Sequence, residues 1–337
     1  MSTYKIADLF AGIGGTRLGF DRAFRDAAQT VYVCEIDPYA RKTYFANFDL
    51  EGAVVDSDIT KVDENNVPDF DICLAGFPCQ AFSMAGQRGG FEDNYRGVCR
   101  GTLFLDVVRL CDHVRPKVIF GENTKSLIKH DKGQTFKIIC SAFSQLGYDV
   151  SYKILNSKDF GLPHNRELIY IVCFRRDIEH KNFNFPNPTL EKATIAGIMQ
   201  SAPVPAKYYL SDVLLNTLRD HKKRHSEKGG GFGYEIRDVN GIANALVCGG
   251  MGREKNLIVD SRLHSTIPTT KIKGKINDED IRRLTPRECA RLQGFPDSFE
   301  LPVADTHLYK QFGNTVPINI IELIAKEIKN TLDSNEK

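Results

Sequence analysis

Short apolar runs rich in Ile, Val, Tyr and Phe occupy positions 5–10, 30–36, 71–76, 117–121, 149–155 and 168–174. Runs of this length and composition predict strands. Between them, positions 16–24, 39–48, 102–114 and 134–146 carry apolar residues at helical spacing. The last of these stretches ends at Gly147, a favourable residue just past a helix end. Strand and helix therefore alternate, which predicts an α/β fold with a doubly wound, mostly parallel sheet and helices on both faces.

The alternation stops at Phe185-Pro186-Asn187-Pro188, and the texture becomes rich in glycine and short loops, as in Gly229-Gly230-Gly231-Phe232-Gly233 and Cys248-Gly249-Gly250-Met251-Gly252-Arg253. Basic residues cluster in the same region. Order returns at Thr285-Pro286-Arg287-Glu288, a capping box with proline at the first helical position. An amphipathic helix at 318–332 is expected to pack back onto the large domain. The expected organisation is a catalytic and cofactor-binding domain at 1–188, a smaller loop-rich domain at 189–303 and a returning C-terminal segment at 304–337.

Composition narrows the function. The chain has 337 residues and a net charge of +2, so any nucleic-acid partner must be argued from local features. No apolar stretch reaches the length of a membrane span, and no basic-then-apolar leader follows Met1-Ser2-Thr3. Nine cysteines without a C-x-x-C pair argue against a zinc site and a disulfide framework. Reduced, scattered thiols fit the cytoplasm. No metal and no membrane partner are expected.

Asp8-Leu9-Phe10-Ala11-Gly12-Ile13-Gly14-Gly15 follows the first strand and opens a helix. Such a turn lets a ligand approach the backbone, although it also serves as a plain strand-to-helix connection. Arg17 stands where a dinucleotide fingerprint has its third glycine. Asp8, Glu35 and Asp58 lie near the ends of successive strands, an arrangement that repels pyrophosphate and favours a cationic ligand. Glu35 follows Gly14 by roughly the spacing used to hold a ribose diol. S-adenosylmethionine satisfies both conditions.

Three further segments supply chemistry. Gly76-Phe77-Pro78-Cys79-Gln80 and Gly121-Glu122-Asn123 each follow a strand, and His164-Asn165-Arg166-Glu167 precedes one. Together they offer a thiol, a carboxyl and a guanidinium. With Glu35-Ile36-Asp37, the stretch from Arg287 to Pro296 and Gly313-Asn314-Thr315-Val316-Pro317, they form an ordered set. By that set the chain resembles the DNA (cytosine-5) methyltransferase family nearly end to end, most of all the compact bacterial enzymes of restriction–modification systems.

The resemblance implies the S-adenosylmethionine-dependent methyltransferase fold, with S-adenosylhomocysteine as product. Cys79 would add to C6 of a flipped-out cytosine, making C5 able to attack a methyl group. Glu122 would protonate or hydrogen-bond N3, Asn123 would orient that loop, and Arg166 would hold the base or stabilise charge at O2. Phe10, Gly12, Gly14, Glu35, Ile36, Asp58, Ile59, Pro78 and Leu103 would line the cofactor pocket, with Asn314 and Val316 completing it. Phe10 would stack on adenine, Glu35 would bind the ribose hydroxyls, and Asp58 would accept from the adenine amino group. The plain alternatives are Phe10 as core, Asp58 as a helix cap and Asn314 as a turn residue.

The chain departs from the family at Leu168, where a second arginine usually follows two residues after the first; one donor is thereby lost from the cytosine pocket. The 86–103 segment is also longer than in similar enzymes. Ser83, Gln87, Arg88 and Arg96 are candidates for DNA contact there, and Lys222, Lys223, Arg224, Arg253, Lys271 and Lys273 for phosphate contact in the loop-rich lobe. The expected partner is double-stranded DNA, bound by a monomer paired functionally with a restriction endonuclease. Rival readings are a transfer-RNA methyltransferase, an inactive DNA-binding module supported by Leu168, and a nicotinamide-dependent oxidoreductase opposed by Arg17 and the acidic strand ends.

Overall fold

The computed structural model describes residues 3–77, 103–189, 191–227, 229, 233–248, 252–263 and 274–335, with the backbone of two short strands, Asn94–Tyr95 and Val98–Cys99. The chain divides into two compact units. The first comprises Met1–Asn156, Glu167–Pro188 and Ile318–Lys337; the second comprises Ser157–Arg166 and Thr189–Pro317. This differs from the expected division in two places. Residues 157–166 join the second unit, and the returning segment begins at Ile318 rather than at 304.

The first unit is built on a seven-stranded sheet. Its strands are β1 (Tyr4–Leu9), β2 (Ala28–Cys34), β3 (Val54–Asp56), β4 (Ile72–Ala75), β5 (Val118–Thr124), β6 (Tyr148–Asn156) and β7 (Glu167–Arg175), in the order β3-β2-β1-β4-β5-β7-β6. Strand β7 runs antiparallel between β5 and β6, while β1 to β5 pair in parallel. This is the predicted doubly wound, mostly parallel α/β fold. The Val, Ile and Phe runs of β5 and β7 are buried on both faces, as a covered sheet requires.

Helices α1 (Gly15–Phe24), α2 (Pro38–Asn47), α3 (Leu103–Val114) and α4 (Gln134–Gln145) fall within a residue or two of the predicted ones. Helices α3 and α4 lay Phe104, Val107, Leu110, Phe136, Ile139 and Phe143 against Ile119, Ile169 and Ile171. On the alternate face Phe120 meets Phe20 of α1, with ring centroids 5.3 Å apart. A last helix of this unit, spanning Ile318–Asn335, packs on α1 and buries Ile320, Ile321, Ile324 and Ile328. Each isoleucine so buried contributes about 1.5–3 kcal/mol.

The second unit holds α5 (Asp212–Glu227), a two-stranded pair β8 (Leu257–Val259) and β9 (Ile281–Arg283), α6 (Pro286–Leu292) and α7 (Asp305–Asn314); the helix Ile318–Asn335 is accordingly α8. Its small core gathers Leu210, Leu215, Leu218, Leu257 and Ile281. The predicted capping box is formed: the Thr285 hydroxyl accepts from the Glu288 N–H, and the Glu288 carboxylate accepts from the Thr285 N–H. No helix among the described residues is long and apolar enough to cross a membrane.

Candidate active site

Strand order reverses between β1 and β4, and in open α/β sheets ligands bind outside the carboxyl ends of the strands at such a switch point. Register makes that edge specific. Cys34, Leu9, Ala75 and Gly121 lie side by side on β2, β1, β4 and β5. The next residue on each chain is therefore Glu35, Phe10, Gly76 and Glu122, one row of candidate residues across four neighbouring strands.

At the β1 end, Phe10 is half-buried and takes a left-handed backbone conformation with φ 56°. A bulky residue there is uncommon and marks a constrained turn. Gly12 and Gly14 also have positive φ, and Gly14 is the N-cap of α1. The Glu35 carboxylate is clamped by main-chain donors: Oε2 accepts from the Gly12 N–H at 2.7 Å and Oε1 from the Asp37 N–H at 2.7 Å. Each carboxylate oxygen has further acceptor capacity. A fixed acceptor of this kind suits a ribose diol, and beside it Ile36 is 63% exposed, an apolar side chain available to a flat ring. The residues present thus fit S-adenosylmethionine.

Asp58 caps the helical turn Ile59–Lys61, with Oδ1 accepting from the Thr60 N–H and hydroxyl. The Thr60 hydroxyl is the first reason its carboxyl lies below the usual range. The cap alternative raised for Asp58 is therefore real geometry, and it leaves the second oxygen of the carboxylate beside Lys61. Ile59 is buried, and Leu103, at the start of α3, is partly so.

Asp8 and Arg17 are both engaged inside the first unit. Asp8 is buried, and its Oδ2 accepts from the Tyr44 hydroxyl at 3.0 Å. Arg17 donates to that same hydroxyl and to the Asp49 carbonyl, and lies over the Phe48 ring. The residue that breaks the dinucleotide pattern is thus a tie between α1 and the end of α2. Burial pushes the Asp8 carboxyl up to about 7, against the pull of Arg17 and the Tyr44 hydroxyl.

A raised carboxyl costs stability wherever the unfolded chain has ionised and the folded one resists. The penalty is absent below 3.8, grows through the interval and is full above about 7. Asp8→Asn is expected to gain on the order of a few kcal/mol over the parent at pH 8 and little at pH 4. Urea unfolding at both pH values checks this, and an equal difference at the two would refute it.

Two of the candidate segments meet at β4 and β5 through Gly76 and Glu122. The Glu122 carboxyl lies over Gly76, where an added Cβ would stand 3.1 Å from Oε1. Any side chain at 76 would press on that carboxyl and shift it by a few tenths of an ångström. Asn123 is 1% exposed; its Nδ2 donates to the Phe77 carbonyl at 3.4 Å and its Oδ1 accepts from the Thr124 N–H at 2.8 Å. It ties the end of β5 to the chain leaving β4. Leu168 is buried opposite Thr124. Pro78, Cys79, Ser83, Gln87, Arg88, Arg96, Lys271 and Lys273 lie outside the described residues.

Within the second unit, Arg166, expected to hold the base or stabilise charge at O2, is hydrogen-bonded to main-chain carbonyls. Nη1 donates to the Leu246 carbonyl at 2.8 Å, and Nη2 to those of Gly313 and Thr315 at 3.1 and 3.0 Å. Asn314 accepts from the Cys248 thiol, and Val316 is buried. Lys222, Lys223, Arg224 and Arg253 are exposed. Lys222 donates to the Tyr234 carbonyl, and Arg253 lies over the Tyr309 ring. Sequence reasoning missed His164 and Tyr44, whose partners lie far along the chain and leave no local signature.

The fold is that of an α/β enzyme with its candidate residues in one row along the carboxyl edge of the sheet. A C-5 cytosine-specific DNA methylase model matches residues 4–330, and the chain belongs to that family: it is a DNA (cytosine-5) methyltransferase. It is 49% identical to the Type II methyltransferase M.HpaII of Haemophilus parainfluenzae over 96% of this chain and 89% of that protein. It is 37% identical to M.HhaI of Haemophilus parahaemolyticus over 98% and 95%. Among solved structures, the Schizosaccharomyces pombe Dnmt2 methyltransferase superposes with a TM-score of 0.71 at 18% identity, covering 99% of each chain, and shares the fold.

Proposed function

We propose that this enzyme methylates C5 of a flipped-out cytosine in a specific duplex sequence through a covalent Cys79–C6 adduct, protecting DNA in a restriction–modification system. The observation that carries the reading is the Glu122 carboxyl lying over Gly76, three residues before Cys79, at the switch point of the sheet. The similarity to Type II methyltransferases supports the restriction–modification context.

Glu35, Ile36, Phe10 and the Gly12–Gly14 backbone would hold S-adenosylmethionine, which would supply an electrophilic methyl group. The protein's own part is to prepare the base. The Cys79 thiolate adds to C6 while Glu122 supplies a proton or hydrogen bond at N3, so charge does not build up on the ring. C5 then takes the methyl group, a base such as water removes the C5 proton, and the thiolate leaves C6 as the C5–C6 double bond re-forms. A stacked duplex offers neither face of the base, hence the flipping. The second unit supplies the duplex contacts, with Lys223 and Arg224 among its exposed cations.

The test is a mixed-sequence duplex carrying 5-fluorocytosine, incubated with the protein and S-adenosylmethionine. Fluorine does not leave as the C5 proton does, so a denaturation-resistant adduct at Cys79 is expected by mass spectrometry. Cys79→Ala should abolish it. No adduct on any duplex, with cofactor binding intact, would overturn the reading in favour of an RNA substrate or an inactive module.

A further inference from the structure

Residues 163–166 join two stretches of the second unit that are distant in sequence. Along 243–246 they pair strand to strand, His164 with Ala243 and Asn165 with Asn244. The Ala243 N–H donates to the Pro163 carbonyl at 2.7 Å, and the buried His164 ring accepts from the Leu246 N–H at 2.9 Å. Arg166 closes this ladder on the Leu246 carbonyl and, with its other terminal nitrogen, spans the carbonyls on either side of Asn314.

The two stretches are also in direct contact. A Cβ on Gly313 would fall 2.8 Å from the Cys248 nitrogen and 2.9 Å from the Val247 carbonyl carbon, so only glycine permits the packing. The Cys248 thiol then bonds the Asn314 side-chain oxygen. None of the described partners of Arg166 is a carboxylate, so its charge is spent on three main-chain dipoles. Hydrogen bonds from a charged donor are roughly twice as strong as neutral ones, and the planar fork makes them directional.

We propose that Arg166 is a positioning residue, holding Gly313-Asn314-Thr315 and residues 246–248 as one piece and thereby setting cofactor affinity through Asn314. The inference rests on the reading that Asn314 serves the cofactor. A lysine at 166 keeps the charge and loses the fork.

The experiment uses the full chain and three variants: Arg166→Lys, Arg166→Met and Asn314→Ala. Calorimetry without DNA measures S-adenosylhomocysteine affinity. Peptide mapping measures the alkylation rate of Cys248, and single-turnover kinetics at saturating cofactor measure the chemical step. Arg166→Lys is expected to weaken S-adenosylhomocysteine about tenfold and to speed Cys248 alkylation. The single-turnover rate should change less than the affinity.

A lowered single-turnover rate with affinity and alkylation unchanged would overturn the proposal and place Arg166 at the base. Parental values in all three measurements would overturn it as well. Should Arg166→Met fail to fold, Arg166→Lys carries the test. Unchanged affinity in Asn314→Ala would sink the cofactor reading of that residue, and the alkylation rate would still report whether Arg166 holds the two stretches together.

Discussion

Glu122→Ala is expected to slow methyl transfer by about 10²- to 10⁴-fold, the usual worth of a positioned acid or base, while the protein folds and binds cofactor normally. The expectation follows from how the carboxyl is placed. Gly121 pairs with Ala75 across β4 and β5, so Glu122 and Gly76 are the first residues beyond that pair. Gly76 has no side chain to displace the carboxyl, and the neighbouring Asn123 fixes the β5 end to the Phe77 carbonyl. Glu122 is only partly buried, so truncating it removes little packed apolar surface.

Glu122→Gln sharpens the test. The amide keeps the volume and can donate to N3, but it does not deliver a proton. An intermediate rate is expected, above that of the alanine variant. Single-turnover methylation of a duplex at saturating cofactor measures both. A parental rate in Glu122→Ala would sink the assignment, whatever the adduct experiment shows for Cys79.

Much of this architecture was legible in the sequence because it is local. The apolar run at 168–174 predicts β7, and the structure extends it by one residue at each end, to Glu167–Arg175. Thr285-Pro286-Arg287-Glu288 announces α6 because capping chemistry resides within four residues. What escaped was non-local. Asp8 was read by its charge alone, and its partner Tyr44 follows by 36 residues. Arg17 was read only as a missing glycine, and its function as a tie depends on Tyr44 and Asp49. The stretch 157–166 carries no compositional mark of a boundary. It joins the second unit through main-chain pairing with 243–244, which residue types do not reveal. The row Glu35, Phe10, Gly76, Glu122 lies between these cases. Each residue stands at a predicted strand end, but only the register shows that the four strands are neighbours in that order.

Glu288→Ala is expected to destabilise the second unit by about 3–5 kcal/mol, because it removes one of the two carboxylates paired with a buried guanidinium. Arg282 is fully buried. Its Nε donates to Asp260 at 2.7 Å, and its two terminal nitrogens donate to the two Glu288 oxygens at 2.7 and 2.8 Å. The same carboxylate accepts from the Thr285 and Gln200 main-chain N–H groups, so it serves a helix cap and an ion pair at once. Hydrogen bonds from Arg262, foremost, and from Arg282 hold the Asp260 carboxyl below the usual carboxylate range. Its contribution is therefore present above 3.8 and lost as pH falls below that value. Thermal unfolding should show a lower midpoint for Glu288→Ala, with a smaller loss for Arg282→Met combined with Glu288→Met, which removes both charges and keeps the volume filled. If the double variant were as damaged as Glu288→Ala, the cap or the lost packing, rather than the broken ion pair, would carry the cost. The position gives the cluster functional weight. It lies at the start of α6, and α6 packs on α7, the helix that ends at Asn314. A unit loosened at Arg282 should therefore lose cofactor affinity along with stability, and restoring the packing in the double variant should return part of both.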